Sequence, residues 1–168
     1  AFTPGSAMVN GRAFFETSAE ACRLIGRRGV LLTRHAEQVP TKLPPGVVHV
    51  PYAPFSELLP RCAAVATHGG IGSLSQALAA GCPQLIHPFA HDQYDNADRL
   101  ERLGVGRAVV PKKYTPPRVA AVLKELVESP AVAEACTAVA ARMKGEDAIG
   151  TACGLIEGLA AGVAQTAA

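Results

Sequence analysis

The chain contains no tryptophan, and aromatic residues make up only 5% of it. A core must therefore come from Ala, Val, Leu and Ile rather than from large rings. Charge is scarce too: 18% of residues are charged and the formal net charge is +2. That excludes a strongly basic nucleic-acid binder, so no nucleic-acid partner is expected. Paired cysteines are missing. Cys22, Cys62, Cys82, Cys136 and Cys153 are odd in number, form no C-x-x-C and sit mostly among Ala and Val. They read as small buried hydrophobes in a reducing cytoplasm. No apolar run approaches the roughly 20 residues of a membrane span. No transmembrane segment is expected, although a longer parent protein could still sit peripherally on a membrane. The N-terminus lacks a charged-then-apolar signal pattern. Asp-x-Asp, an acidic pair that would suggest a divalent ion, is also absent.

What is present is a globular balance. Hydrophobic residues reach 49%, and 168 residues suit one domain, residues 1–168. Short β-type runs alternate with helix-type runs, the signature of a parallel α/β sheet. Strands are expected at 1–3, 29–33, 47–50, 63–66, 84–87 and 107–110. Helices are expected over 12–25, 56–59, 71–80 and 94–103, with Ser56 as the cap of the second. Beyond these, Thr115-Pro116 and Ser129-Pro130 each supply a cap and a first-turn proline for a C-terminal helix. Glu146 opens a last one. The expected fold is a Rossmann-like parallel six-stranded sheet with helices on both faces plus C-terminal helices. Such sheets bind ligands beyond the carboxyl ends of their strands.

Those strand ends carry the polar residues. The fourth strand runs into Thr67-His68-Gly69-Gly70-Ile71-Gly72-Ser73 and then a helix. A Gly-rich turn there leaves backbone N–H groups and the positive helix end facing one spot, which suits phosphate. The same glycines also suit a plain tight turn. The first strand ends in Pro4-Gly5-Ser6, either a turn or a second set of phosphate donors. The fifth leads to His87-Pro88-Phe89-Ala90-His91-Asp92-Gln93. Asp92 and Gln93 offer acceptor and amide groups for vicinal sugar hydroxyls, or simply a helix cap. Pro88 breaks the helix that would align His87 and His91 on a metal. The third strand leads to Tyr52-Ala53-Pro54-Phe55, where an aromatic ring could stack on a base or pack locally. Lys112-Lys113 and Arg27-Arg28 read as solvated faces.

Taken together, Tyr52 to Asn96 (YAPFSELLPRCAAVATHGGIGSLSQALAAGCPQLIHPFAHDQYDN) resembles the donor-binding signature of the UDP-glycosyltransferases, family 1 of the GT-B fold. That group includes plant secondary-product enzymes, sterol glucosyltransferases and bacterial antibiotic glycosyltransferases. The resemblance is tight over the motif and looser over most of Ala1 to Pro111. It implies that Tyr52, standing at the plant tryptophan, stacks on the base while the backbone at Ala53 reads its edge. Phe55 stands where those enzymes have Gln and loses a polar contact. His68, with Gly69 and Gly70, is implied to meet the diphosphate, and Gly72 and Ser73 to bind phosphate. Gln76 replaces a ribose-holding Glu and keeps hydrogen bonding without charge. Asp92 and Gln93 are implied to grip the transferred sugar. Gly5 and Ser6 match the first-loop turn near the phosphates.

The resemblance further implies inverting transfer from a nucleoside diphosphate sugar, such as UDP-glucose or a TDP-hexose, to an acceptor hydroxyl. No protein-bound cofactor or metal is called for. The family's base is typically a His oriented by an Asp in an N-terminal acceptor domain. None of the five histidines replaces it well, and the chain opens without Met inside a strand-to-turn unit. The expectation is a C-terminal half separated from its acceptor domain, inactive alone. Three alternatives stay open: a donor-binding subunit of a bipartite N-acetylglucosaminyltransferase, another GT-B-shaped nucleotide-sugar enzyme, and a nicotinamide-binding domain. The last is weakest. Gly70-Ile71-Gly72 starts a G-x-G-x-x-G, but Ser75 replaces its third Gly and the motif follows the fourth strand, not the first.

Overall fold

Short aliphatic runs build the sheet: β1 (Phe2–Thr3), β2 (Gly29–Leu32), β3 (Val47–Val50), β4 (Val65–Thr67), β5 (Gln84–Ile86) and β6 (Gly106–Ala108). The computed structural model describes residues 1–6, 8, 10–145 and 147–166, with side chains through 160. All five strand pairings are parallel, in the order β3-β2-β1-β4-β5-β6. Every residue of β4 and β5 is buried. A central parallel strand needs this, because helices cover both of its faces.

The helices are α1 (Arg12–Leu24), α2 (Phe55–Leu58), α3 (Ile71–Ala79), α4 (Gln93–Arg102), α5 (Pro116–Glu128), α6 (Pro130–Met143) and α7 (Ala148–Thr166). The chain moves outward from β1 to β3, then returns to β4 and moves the other way. Right-handed crossovers therefore put α1 on one face and α3 and α4 on the other. Helix α5 packs on α1, and α6 packs on α3. One layer holds Phe14, Phe15 and Cys22 against Val119, Leu123 and Leu126, all buried. The opposite layer buries Leu74, Val132 and Cys136.

The element boundaries differ from the sequence expectations in instructive places. β4 starts at Val65, two residues later than expected, and reaches Thr67. Ala63 and Ala64 look β-like in an apolar run, but pairing with β1 begins only at Ala66. Ser56 does not cap α2. Pro54 occupies the N-cap with extended backbone, and the helix starts at Phe55. β6 runs from Gly106 to Ala108 rather than from 107 to 110. Thr115 precedes α5 in extended conformation but makes no side-chain cap bond. Ser129 does cap α6, its hydroxyl accepting from the Val132 N–H. Glu146, expected to open the last helix, lies outside the described residues. Cys22, Cys82 and Cys136 are buried as expected, Cys62 is half-buried and Cys153 exposed.

Phe15, on α1, is fully buried in the main hydrophobic core. Phe15→Ala should cost about 3–5 kcal/mol of folding stability, since truncating a core ring leaves a cavity. Urea unfolding measures this, and a loss well below 1 kcal/mol would contradict the packing described.

Candidate functional site

Because the strands are parallel, all their carboxyl ends open on one edge. The direction reverses between β1 and β4, so two diverging loops leave a crevice there. A cleft of about 600 Å³ occupies this edge. It gathers Gly5 and Ser6 after β1, Tyr52, Ala53 and Phe55 after β3, and Ser73 and Gln76 on α3. These seven predicted residues thus converge. His68, Gly69, Gly70, Gly72, Asp92 and Gln93 do not line the cleft itself; they form the β4 and β5 loops beside it.

His68 is the keystone of the β4 loop. Its ring lies between two glycines. A Cβ on Gly5 would come within 2.6 Å of Cε1, and a Cβ on Gly70 would collide with Nε2. Gly5 also has a φ of +95°, which L side chains avoid. The Nδ1 atom of His68 is buried and has no hydrogen-bond partner. Burial holds the imidazole pKa below its ordinary range, and the nearby Asp92 charge opposes this in part. The ring is therefore neutral at pH 7.

Internal bonds shape the rest of the loop. Thr67 Oγ1 accepts from the Gly69 N–H at 3.1 Å. Gly69 has a φ of +87°, and a Cβ there would press on Ile86 at 2.7 Å. The N–H groups of Gly70, Ile71 and Gly72 have no acceptor among the described residues. They are the orphan donors at the start of α3, aligned with its positive end.

The β5 loop is tied to this turn by Asn96. Its Nδ2 donates to the Gly69 carbonyl at 2.9 Å and to Asp92 Oδ2 at 2.8 Å. Asp92 does not cap α4. Gln93 Oε1 accepts from the N–H of Phe89 at 2.7 Å and of Ala90 at 3.2 Å. Its carbonyl is thus spent on the loop, and its amide NH2 remains to donate. Gln76 turns back on its own helix, donating to the Gly72 carbonyl at 3.0 Å. Below the loop, His87 is buried and donates from Nδ1 to the Val109 carbonyl at 2.9 Å. Its ring packs against Phe14, Phe89 and Tyr114.

Sequence reasoning missed the loop after β2. Thr33, Arg34 and His35 line the cleft. The Arg34 guanidinium lies 5.3 Å from the centre of the Tyr52 ring. His35 Nδ1 meets Glu37 Oε1 at 3.1 Å. The strand-end rule that selected the other loops selects this one as well, since an arginine and a histidine follow an apolar strand after one residue. Gln38 was missed as well. It is buried, its Oε1 accepts from the Gly11 N–H at 3.1 Å, and its Nε2 donates to the Met8 carbonyl at 2.9 Å. Nothing local in the sequence marks it, because both partners are backbone groups nearly 30 residues away. Among the described residues, no three His, Cys, Asp or Glu side chains converge as a metal ion needs.

Residues 28–151 match the family described as erythromycin biosynthesis protein CIII-like, C-terminal domain. The chain belongs to this family. It is 36% identical over 132 residues to O-mycaminosyltylonolide 6-deoxyallosyltransferase of Streptomyces fradiae, covering 78% of the chain and 31% of that enzyme. Among solved structures, the glycosyltransferase of kitacinnamycin superposes with a TM-score of 0.83 at 31% identity, over 93% of the chain and 41% of its own. Glycosyltransferase VinC, solved in complex with DTDP, gives a TM-score of 0.68 at 29% identity, over 77% and 33%. The chain is the α/β half-fold of GT-B glycosyltransferases, and it spans about a third or less of the length of the first curated relatives it matches. In this erythromycin CIII-like domain, the Gly-rich turn and the Asp-Gln pair belong to the loops described above.

The wedge between Gly5 and Gly70 makes a coupled prediction. Gly5→Ala should destabilise the chain through both its positive φ and its contact with His68. In a His68→Ala background the contact part disappears, so the same change should cost about 1 kcal/mol less. Urea unfolding of the four chains measures the coupling; strict additivity would show that the ring does not fill this gap.

Proposed function

We propose that this chain is the donor half of a hexosyltransferase: it binds a nucleoside diphosphate sugar for inverting transfer to an acceptor hydroxyl. The observation that carries this reading is the half-buried His68, whose buried Nδ1 has no partner, beside three N–H groups at the start of α3 that have no acceptor among the described residues. Such a spot lacks an anion acceptor, and a diphosphate supplies one. As the anomeric bond breaks, negative charge builds on the leaving diphosphate. Donors already in place stabilise it without reorganising, which is how a preset electrostatic site lowers a barrier.

The strand order supports the following arrangement of the remaining parts of the donor. Tyr52, after the edge strand β3, offers a ring for uracil or thymine. Ser6, Ser73 and Gln76 lie between it and His68, at ribose and phosphate. Asp92 and the Gln93 amide, after β5, face the sugar end. We further propose that the 168 residues form a single domain whose acceptor site and base lie elsewhere in a longer protein. His35 and Glu37 form an oriented pair, but at the base end of the cleft, far along the sheet from β5. The last helix also exposes Ile149, Ile156 and Leu159 on one helical stripe, a face suited to another domain. The free cysteines fit a cytoplasmic setting, and no described helix is long and apolar enough to cross a membrane.

Calorimetry with UDP, TDP and GDP tests the donor site, and no heat from any of them at millimolar ligand would remove it. His68 supplies a sharper test. The free ring is neutral because burial depresses its pKa. A sugar-esterified diphosphate keeps its charge near neutrality and raises that pKa, so binding takes up a proton. Affinity for UDP-glucose or TDP-glucose should rise as pH falls from about 8 to about 6, and level off below the free-state pKa. His68→Ala should weaken binding by roughly 1.5–3 kcal/mol and flatten this slope. An unchanged slope in the variant would assign the proton to another group.

A further inference from the structure

Arg34 has no place in the donor assignments above, yet it occupies the middle of the cleft. It follows β2, and β2 lies between β3, which carries Tyr52, and β1, which carries Gly5 and Ser6. Among the described residues no carboxylate lies within ion-pair distance of it. It is the only lysine or arginine lining the cleft, and its guanidinium rests on the Tyr52 ring. A cation over an aromatic face within about 6 Å is attracted by the ring quadrupole, weakly when exposed. Tyr52 is 61% exposed, so this hold is slight.

The 5.3 Å spacing has a steric consequence. A base stacked on Tyr52 needs about 3.5 Å, and a guanidinium on top of it about 3.5 Å more. Base and guanidinium cannot share that ring face at the observed spacing. We propose that Arg34 is a specificity-determining donor contact that exchanges partners: the base takes the Tyr52 face, and the displaced guanidinium turns onto the diphosphate. Resting on the donor reading, this adds a residue and a sequence of contacts to it. The planar guanidinium presents paired N–H donors that match phosphate oxygens. The cleft thereby gains a full positive charge that the backbone donors lack. It also penalises a bare nucleoside, which must displace the cation without providing it a new partner.

Titration of the chain by NMR with UDP and uridine, and in parallel with TDP and thymidine, tests the exchange. Arg34→Ala should weaken the diphosphate about tenfold or more while leaving the nucleoside unchanged or bound more tightly. Arg34→Lys, which keeps charge without the planar fork, should fall between wild type and Arg34→Ala for the diphosphate. An equal loss for nucleoside and diphosphate would mean that Arg34 holds the base, and would overturn the proposal. So would unchanged diphosphate affinity in Arg34→Ala while His68→Ala binds weakly, which leaves the donor site standing. A wild-type chain that binds neither nucleotide removes the donor reading and this exchange together. Circular dichroism of the exposed-site variants confirms that they are folded.

Discussion

The imidazole of His68 filling the gap between the β1 and β4 loops is the contact on which the site depends. Two glycines exist on its two sides because nothing larger fits. Gly5 belongs to the first loop and Gly70 to the turn before α3, so one ring fixes the spacing of two segments 65 residues apart in sequence. Asn96 extends the same logic to a third segment by donating to Gly69 and Asp92 at once. Gln38 adds a further tie, to the Met8 carbonyl and the Gly11 N–H. The crevice at the reversal of the sheet is therefore braced by side-chain-to-backbone bonds and one packed ring, and not by the short strands alone.

The same contact sets the electrostatics. Removing His68 from water favours its neutral form, which suits a site that must wait for an anion without carrying charge of its own. The orphan N–H groups of α3 add positive potential without a further charged side chain, from dipoles already fixed by the fold. A chain with net charge +2 can meet a dianionic ligand this way. It needs no basic surface, only a few aligned donors at one spot.

Much of this was legible before any coordinates. The alternation of strand and helix runs gave the six-stranded parallel sheet, and the strand-end rule selected four of the five loops around the cleft. Those loops carry their signals locally: consecutive glycines, a proline stop, an Asp-Gln pair. What escaped was either non-local or out of register. The expected β4 begins two residues early because Ala63-Ala64 is as apolar as the strand itself, and only pairing decides the start: Val65 is the first residue to pair, with Gln84 of β5. Ser56 and Thr115 fit a cap by residue type, yet neither makes the bond. Gln38 and Asn96 act on backbone groups far along the chain, which no periodicity reports. Gln93 was expected to use its whole amide on a ligand, but its oxygen holds the β5 loop.

One further constraint follows from where charge and acid-base groups sit along the edge. Transfer of a sugar separates two tasks in space: the leaving diphosphate must be held on one side of the anomeric carbon, and the acceptor must lose its proton on the other. On the proposed donor reading, the β4 turn does the first task. For the second, a base must stand across the sugar from His68, beyond Asp92 and Gln93. His87 is buried, committed to the Val109 carbonyl and kept neutral by burial. His35 is paired with Glu37 but follows β2, three strands away from β5 in the sheet. His49 is bound to the Thr33 carbonyl. His91 has a left-handed backbone, and among the described residues no carboxylate pairs with it. On that reading the reaction divides in space: this edge holds the donor's leaving group, and none of these four histidines is placed to take the acceptor's proton.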